Sequence, residues 1–245
     1  MKMSLQKHFF SEKEVSLVDH GELSCSIFRY ATGVEAIRLK NDLGHIVVLP
    51  FKGQQIWDAV FGGRTLTMKS VFQEPRNVQS FFESYGCFLM HCGALRMGCP
   101  GPEDDHPLHG ELPYAPYESA SIEAGEDEEG RYIDVSGVYR YRRAFGELYD
   151  ARPTVRLHER SGVLRVSITI ENLSHYPMDL MYMCHVNFLP VDNARIVQSA
   201  PWTVDSMQLR TSVPQHVRVS EQFRELCEKI AVNPRLTETI RPEYE

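Results

Sequence analysis

The chain lacks any apolar run long enough to span a membrane, and its first ten residues, Met1 to Phe10, lack the apolar core of a secretory signal. It has no basic excess: 26 Lys and Arg stand against 33 Asp and Glu, giving a net charge of −7, and no basic stripe is interleaved with aromatics. That balance argues against a nucleic-acid surface. The six cysteines form no CxxC pair and are too sparse for a disulfide scaffold, so reduced thiols and a cytoplasmic location are expected. In such a compartment the sequon Asn172-Leu173-Ser174 meets no glycosylation enzyme. There is no internal repeat and no low-complexity segment. The densest charge, Glu126 to Glu129, reads as a solvated turn whose spacing fits no standard Ca²⁺ loop.

What is present is period-two alternation. In Val163 to Glu171, Leu164, Val166, Ile168 and Ile170 share one face, while Arg165, Ser167, Thr169 and Glu171 share the other. That is the pattern of a half-buried antiparallel strand. Similar runs occupy 36–40, 46–50, 132–135 and 138–142, separated by turn sequences such as Asn41-Asp42-Leu43-Gly44 and Ser161-Gly162. Ser220 to Val232 alone reads as a helix, with Ser220 as N-cap. With 42% hydrophobic residues over 245 positions, one all-β domain, mostly antiparallel, is expected across 1–245. The chain stops at Ile240 to Glu245 without a closing strand, so the expected domain is C-terminally incomplete.

Chemistry concentrates in two segments. Asp105-His106-Pro107-Leu108-His109-Gly110-Glu111 places two imidazoles and a carboxylate in one Pro- and Gly-fixed loop, and Cys184-His185-Val186-Asn187-Phe188 places an imidazole and an amide on one strand face. Neutral imidazole suits both proton transfer near neutral pH and metal ligation. The residues alone leave acid–base chemistry, a cupin-like metal site of His106, His109, Glu111 and His185, and ordinary hydrogen-bonded histidines all open. Arg96, in an apolar Gly-rich stretch, calls for a partner or a ligand oxygen. His91 in the same stretch reads as core. Trp57, Tyr114, Tyr117 and Trp202 are able to stack on a sugar ring, although each alone is explained by packing.

Four segments together resemble the aldose 1-epimerase (galactose mutarotase-like) superfamily, nearest its less characterised epimerase-like branch. They are Leu49 to Asp58, Tyr85-Gly86 through His91-Cys92-Gly93, His106 to Glu111, and His185 to Phe188, in family order and spread over residues 35 to 200. The resemblance implies a β-supersandwich, short of its C-terminal strands, with an open cleft for a small-molecule sugar. It implies no metal and no cofactor. Carried over, His185 is the general acid toward the ring oxygen and His109 contacts the sugar. Arg96 is a candidate for binding the sugar hydroxyls, and a carboxylate takes the anomeric proton; His106 and Glu111, which depart from well-studied mutarotases, and Asn187 are also expected to bind substrate. The family's C-terminal Gly-Glu-rich segment, which carries that carboxylate, is not recognisable; only Glu243 and Glu245 lie near its place. A non-catalytic sugar-binding module is therefore the alternative, and the sequence sets neither the sugar nor the oligomeric state.

Overall fold

The alternation along the chain becomes two antiparallel sheets, seen in a computed structural model that describes residues 1–192, 194–207 and 218–239. The strands are β1 (Lys2–Leu5), β2 (Val15–His20), β3 (Leu23–Arg29), β4 (Glu35–Lys40), β5 (Gly44–Val48), β6 (Ile56–Phe61) and β7 (Arg64–Thr65). They continue with β8 (Leu89–Ala94), β9 (Ser119–Asp127), β10 (Gly130–Arg142), β11 (Leu148–His158), β12 (Leu164–Asn172) and β13 (Met181–Val186). Among the described residues one sheet runs β1-β9-β10-β11-β12, and the other runs β13-β8-β6-β5-β4-β3-β2 with β7 paired to β6.

β12 buries Leu164, Val166, Ile168 and Ile170 partly and exposes the residues between them, as the alternation predicts. The runs 132–135 and 138–142 are one strand rather than two. Gly137 does not break β10; a Cβ there would lie 2.9 Å from the Tyr117 ring, so its bareness admits that buried aromatic.

Two apolar layers result. Ile27, Ile37, Leu39, Ile46, Ile56, Ile122, Ile133, Val155 and Leu157 fill the space between the sheets, each contributing about 1.5–3 kcal/mol by burial. Ala36, Val47, Leu49, Trp57, Met90 and Cys92 point to the opposite face of the larger sheet and form a second cluster there. The register slips between Val47 and Val48, where Val47 opposes Asp58 and Val48 opposes Ile56. This β-bulge inserts Trp57, and it turns a strand locally.

The chain forms two compact units, Met1–Leu189 and Pro190–Glu245. The second holds α1 (Glu221–Val232), capped as expected by Ser220 Oγ accepting from Phe223 N. The Arg235 guanidinium lies 5.1 Å from the Trp202 ring there. Glu243 and Glu245 lie outside the described residues. No helix among the described residues is long and apolar enough to cross a membrane, and all six cysteines are free.

His91, on β8, is fully buried and hydrogen-bonds Tyr182 Oη through Nδ1 at 2.8 Å. Burial pushes its pKa down to about 4. The folded chain thus keeps His91 neutral where the unfolded chain, with a pKa near 6.5, takes up a proton. Stability present above pH 6.5 is therefore lost as pH falls through 4, by about 3 kcal/mol in total. Urea unfolding at pH 7, 5.5 and 4.5 will show this loss, and His91→Gln will flatten it. A variant with the wild-type pH slope would refute the assignment.

Candidate active site

β13 pairs with β8 so that His185 opposes Met90. Period two then carries Met183, His185 and Asn187 on one face. Asn187 is buried and satisfied at both ends: Nδ2 donates to the Cys87 carbonyl at 3.0 Å, and Oδ1 accepts from Tyr85 Oη at 2.7 Å. Tyr85 in turn packs T-shaped against the His185 ring, centroids 5.9 Å apart. Asn187 is thus a positioning residue, fixing the phenol that backs one imidazole.

The second imidazole arrives from the loop after β8. His109 adopts φ +61°, an uncommon conformation for a non-glycine residue. Two backbone bonds hold it there: His109 N donates to the Gly98 carbonyl, and Gly93 N donates to the His109 carbonyl, both at 2.9 Å. Its ring lies 5.0 Å from Phe81, which stacks on Tyr85 at 4.6 Å. His109 and His185 therefore meet in a T-shaped contact beside one aromatic wall, centroids 5.6 Å apart at 65°. Burial first, and the neighbouring His185 second, lower the pKa of His109. In both rings Nδ1 is buried without a hydrogen-bond partner among the described residues.

The segment that leads to Phe81 is braced by Lys52, and Tyr114 Oη donates to the Phe81 carbonyl at 3.3 Å. The buried Lys52 ammonium donates to the carbonyls of Arg76 and of Val78, the latter at 2.8 Å, and lies 5.2 Å from the Tyr114 ring. Burial lowers its pKa to about 8. Tyr114 and Phe81 also line a cavity of about 480 Å³ beside Gly110.

Arg96, His106 and Glu111 line a smaller polar cavity of about 270 Å³ with Tyr141 and Arg143, and Glu111 lines the larger cavity as well. Arg96 Nη1 donates to its neighbour's carbonyl, Leu95 O, at 2.8 Å, and His106 Nδ1 pairs with the Pro107 carbonyl at 2.8 Å. Glu111 Oε1 accepts three bonds, from Ala94 N at 2.9 Å, Leu95 N at 3.0 Å and Tyr149 Oη at 2.6 Å. Among the described residues no three His, Cys, Asp or Glu side chains converge as metal ligands, so the cupin-like set does not assemble. Tyr117 is buried against Tyr139, and Trp202 belongs to the second unit.

Residues 31–202 match the family model described as a domain of unknown function, DUF4432. The chain belongs to the DUF4432 family. Its fold is galactose mutarotase-like: it superposes on the crystal structure of a "putative aldose 1-epimerase" from Klebsiella pneumoniae subsp. pneumoniae MGH 78578 with a TM-score of 0.64 at 16% identity. The alignment covers 77% of this chain and 55% of that one, so the chain spans little more than half the length of its match. No curated protein matches the sequence.

For this DUF4432 member the sequence reading missed two parts of the site. Lys52 lay in a family-like segment but carried no assigned role, and its carbonyl partners stand 24 and 26 residues away. Phe81 carried no local signal; only Tyr85-Gly86 marked the neighbourhood.

Proposed function

We propose that the chain binds a small sugar against the His109–His185 pair and interconverts its anomers by acid–base ring opening, without a cofactor, in a reducing cytoplasm. The observation that carries this reading is the imidazole pair in contact beside an aromatic wall. Paired proton carriers are what ring opening needs, one to protonate the ring oxygen and one to take the anomeric hydroxyl proton. Burial and the neighbouring imidazole keep His109 uncharged, so its ring lone pair is available to take the anomeric proton. His185 then donates to the ring oxygen. Rotation about C1–C2 and reclosure give the other anomer.

The test is polarimetry on freshly dissolved glucose and galactose. The wild-type chain is expected to accelerate the approach to anomeric equilibrium, and His185→Ala to lose about 10²-fold or more of that acceleration. An unchanged rate in the variant would remove His185 from the mechanism. A binding-only module is the second reading, favoured by Glu111: this carboxylate, two residues from His109, has Oε1 already filled by three donors. Sugar-dependent thermal stabilisation with no acceleration would select it.

A further inference from the structure

Beyond the imidazole pair, the same face of the larger sheet holds a second cavity of about 410 Å³, and Trp57, Asp58, Tyr30, Phe72, Ser70 and Thr67 are among its lining residues. The bulge in β6 is what builds it. In a regular strand Trp57 and Asp58 would point to opposite faces. Here Ile56 and Ala59 both point into the inter-sheet core, and the two residues between them turn outward together. An indole and a carboxylate, consecutive in sequence, thus open onto one cavity.

The polar groups are arranged rather than incidental. Thr67 Oγ1 accepts from Ala59 N at 2.9 Å and donates to Asp58 Oδ1 at 2.8 Å, which fixes the carboxylate. Asp58 Oδ2 has His45 Nε2 at 3.8 Å, beyond hydrogen-bond distance, and its residue lines the cavity. Burial, the largest influence on His45, lowers that imidazole's pKa and disfavours its charged form. A carboxylate acceptor and hydroxyls set among Trp, Tyr and Phe rings suit a ligand with apolar C–H faces and donating hydroxyls. That is the chemistry of a sugar ring.

The cavity also adjoins the imidazole pair. Gly86 lines it while its neighbour Tyr85 backs His185. Ser70 Oγ donates to the Tyr85 carbonyl at 2.9 Å, and Met68 N donates to the Asn187 carbonyl at 3.0 Å. A Cβ at Gly86 would come within 2.8 Å of Ser70 Oγ and 3.0 Å of the Trp57 ring, so the bareness of this residue lets both side chains pack against the backbone next to Tyr85. One apolar cluster, containing Trp57 with Tyr30, Phe72, Phe81 and Tyr85 packed against it, floors both.

From this we infer that the cavity is a second sugar subsite, so that the preferred ligand is a disaccharide or longer oligosaccharide with its reducing ring against the His109–His185 pair and the next ring in the cavity lined by Trp57 and Asp58. The inference rests on the sugar reading of the imidazole pair, and its test separates the two. The chain has two tryptophans, so Trp202→Phe leaves Trp57 as the sole tryptophan, read with excitation that spares tyrosine. Titration with maltose, cellobiose and lactose is expected to change Trp57 emission saturably. At least one of them should bind tenfold or more tighter than glucose or galactose. Asp58→Asn should erase that advantage while leaving monosaccharide anomerisation unchanged. Phe72→Ala serves as a second variant should the loss of the Thr67 contact disturb β6.

Disaccharides that bind no tighter than monosaccharides, or a preference untouched by both variants, would overturn the subsite even with anomerisation intact. A Trp57 response to disaccharides that both variants weaken, in a chain that does not accelerate anomerisation, would uphold the subsite and remove the catalytic reading instead.

Discussion

Glu111→Leu is expected to lower the unfolding free energy by about 4 kcal/mol, whereas Glu111→Gln will cost about 1–2 kcal/mol. The difference follows from what one oxygen does. Glu111 Oε1 accepts from the backbone of Ala94 and Leu95, at the end of β8 and just beyond it, and from the phenol of Tyr149 on β11 in the opposing sheet. It joins the sheets where the cluster of Ala94, Leu112, Tyr149 and Ala151 is packed. Leucine removes the acceptor and strands three donors in an apolar setting. Each stranded donor costs about 1–3 kcal/mol, less in sum because the loop relaxes. Glutamine keeps a carbonyl oxygen in place and loses mainly the charge. Denaturant unfolding of the two variants measures this directly. Equal and small losses in both would show that the three donors find other partners and that Glu111 is free to meet a ligand.

Gly93→Ala will be comparably severe. Gly93 sits in β8 at φ +110°, and a Cβ there would lie 1.9 Å from the Met181 carbonyl oxygen on β13. The same residue donates to the His109 carbonyl and accepts from Leu112 N at 2.8 Å. Both histidine-bearing elements thus rest on one backbone position. Nothing flexible stands in the way of the added methyl, so β13 must move or the pairing must break. A loss above about 4 kcal/mol follows, and a melting point lower by about 10 °C or more. Gly33→Ala is the matched control. It too has positive φ, +84°, but its Cβ would meet nothing within 4 Å, so only backbone strain of about 1–2 kcal/mol is at stake. If the two variants melted together, the close approach of β8 and β13 at this point would be wrong.

Much of the architecture was legible because it is local. The alternation in β12 announces its faces, and the same period places His185 and Asn187 on one side of β13. The capping serine of α1 was equally readable. The loop from His106 to Glu111 was not, for a physical reason. Its residues are neighbours in sequence, but φ +61° at His109 and +82° at Gly110 reverse the chain between them. His109 consequently faces Phe81 and His185, while Glu111 turns to Tyr149 and His106 to a separate polar cavity. Proximity along the chain suggested one cluster, and the backbone divides it. The Lys52 clamp on the carbonyls of Arg76 and Val78 was beyond sequence reading because it is a long-range contact to backbone, which has no residue type to recognise.

The β6 bulge separates two evolutionary pressures that an ordinary strand would entangle. Ile56 and Ala59 answer to the inter-sheet core, and Trp57 with Asp58 answers to whatever occupies the cavity outside. The outward doublet can drift from one ligand preference to another while the inward pair stays fixed. Related chains can therefore keep the scaffold and the imidazole pair and diversify at these two adjacent positions.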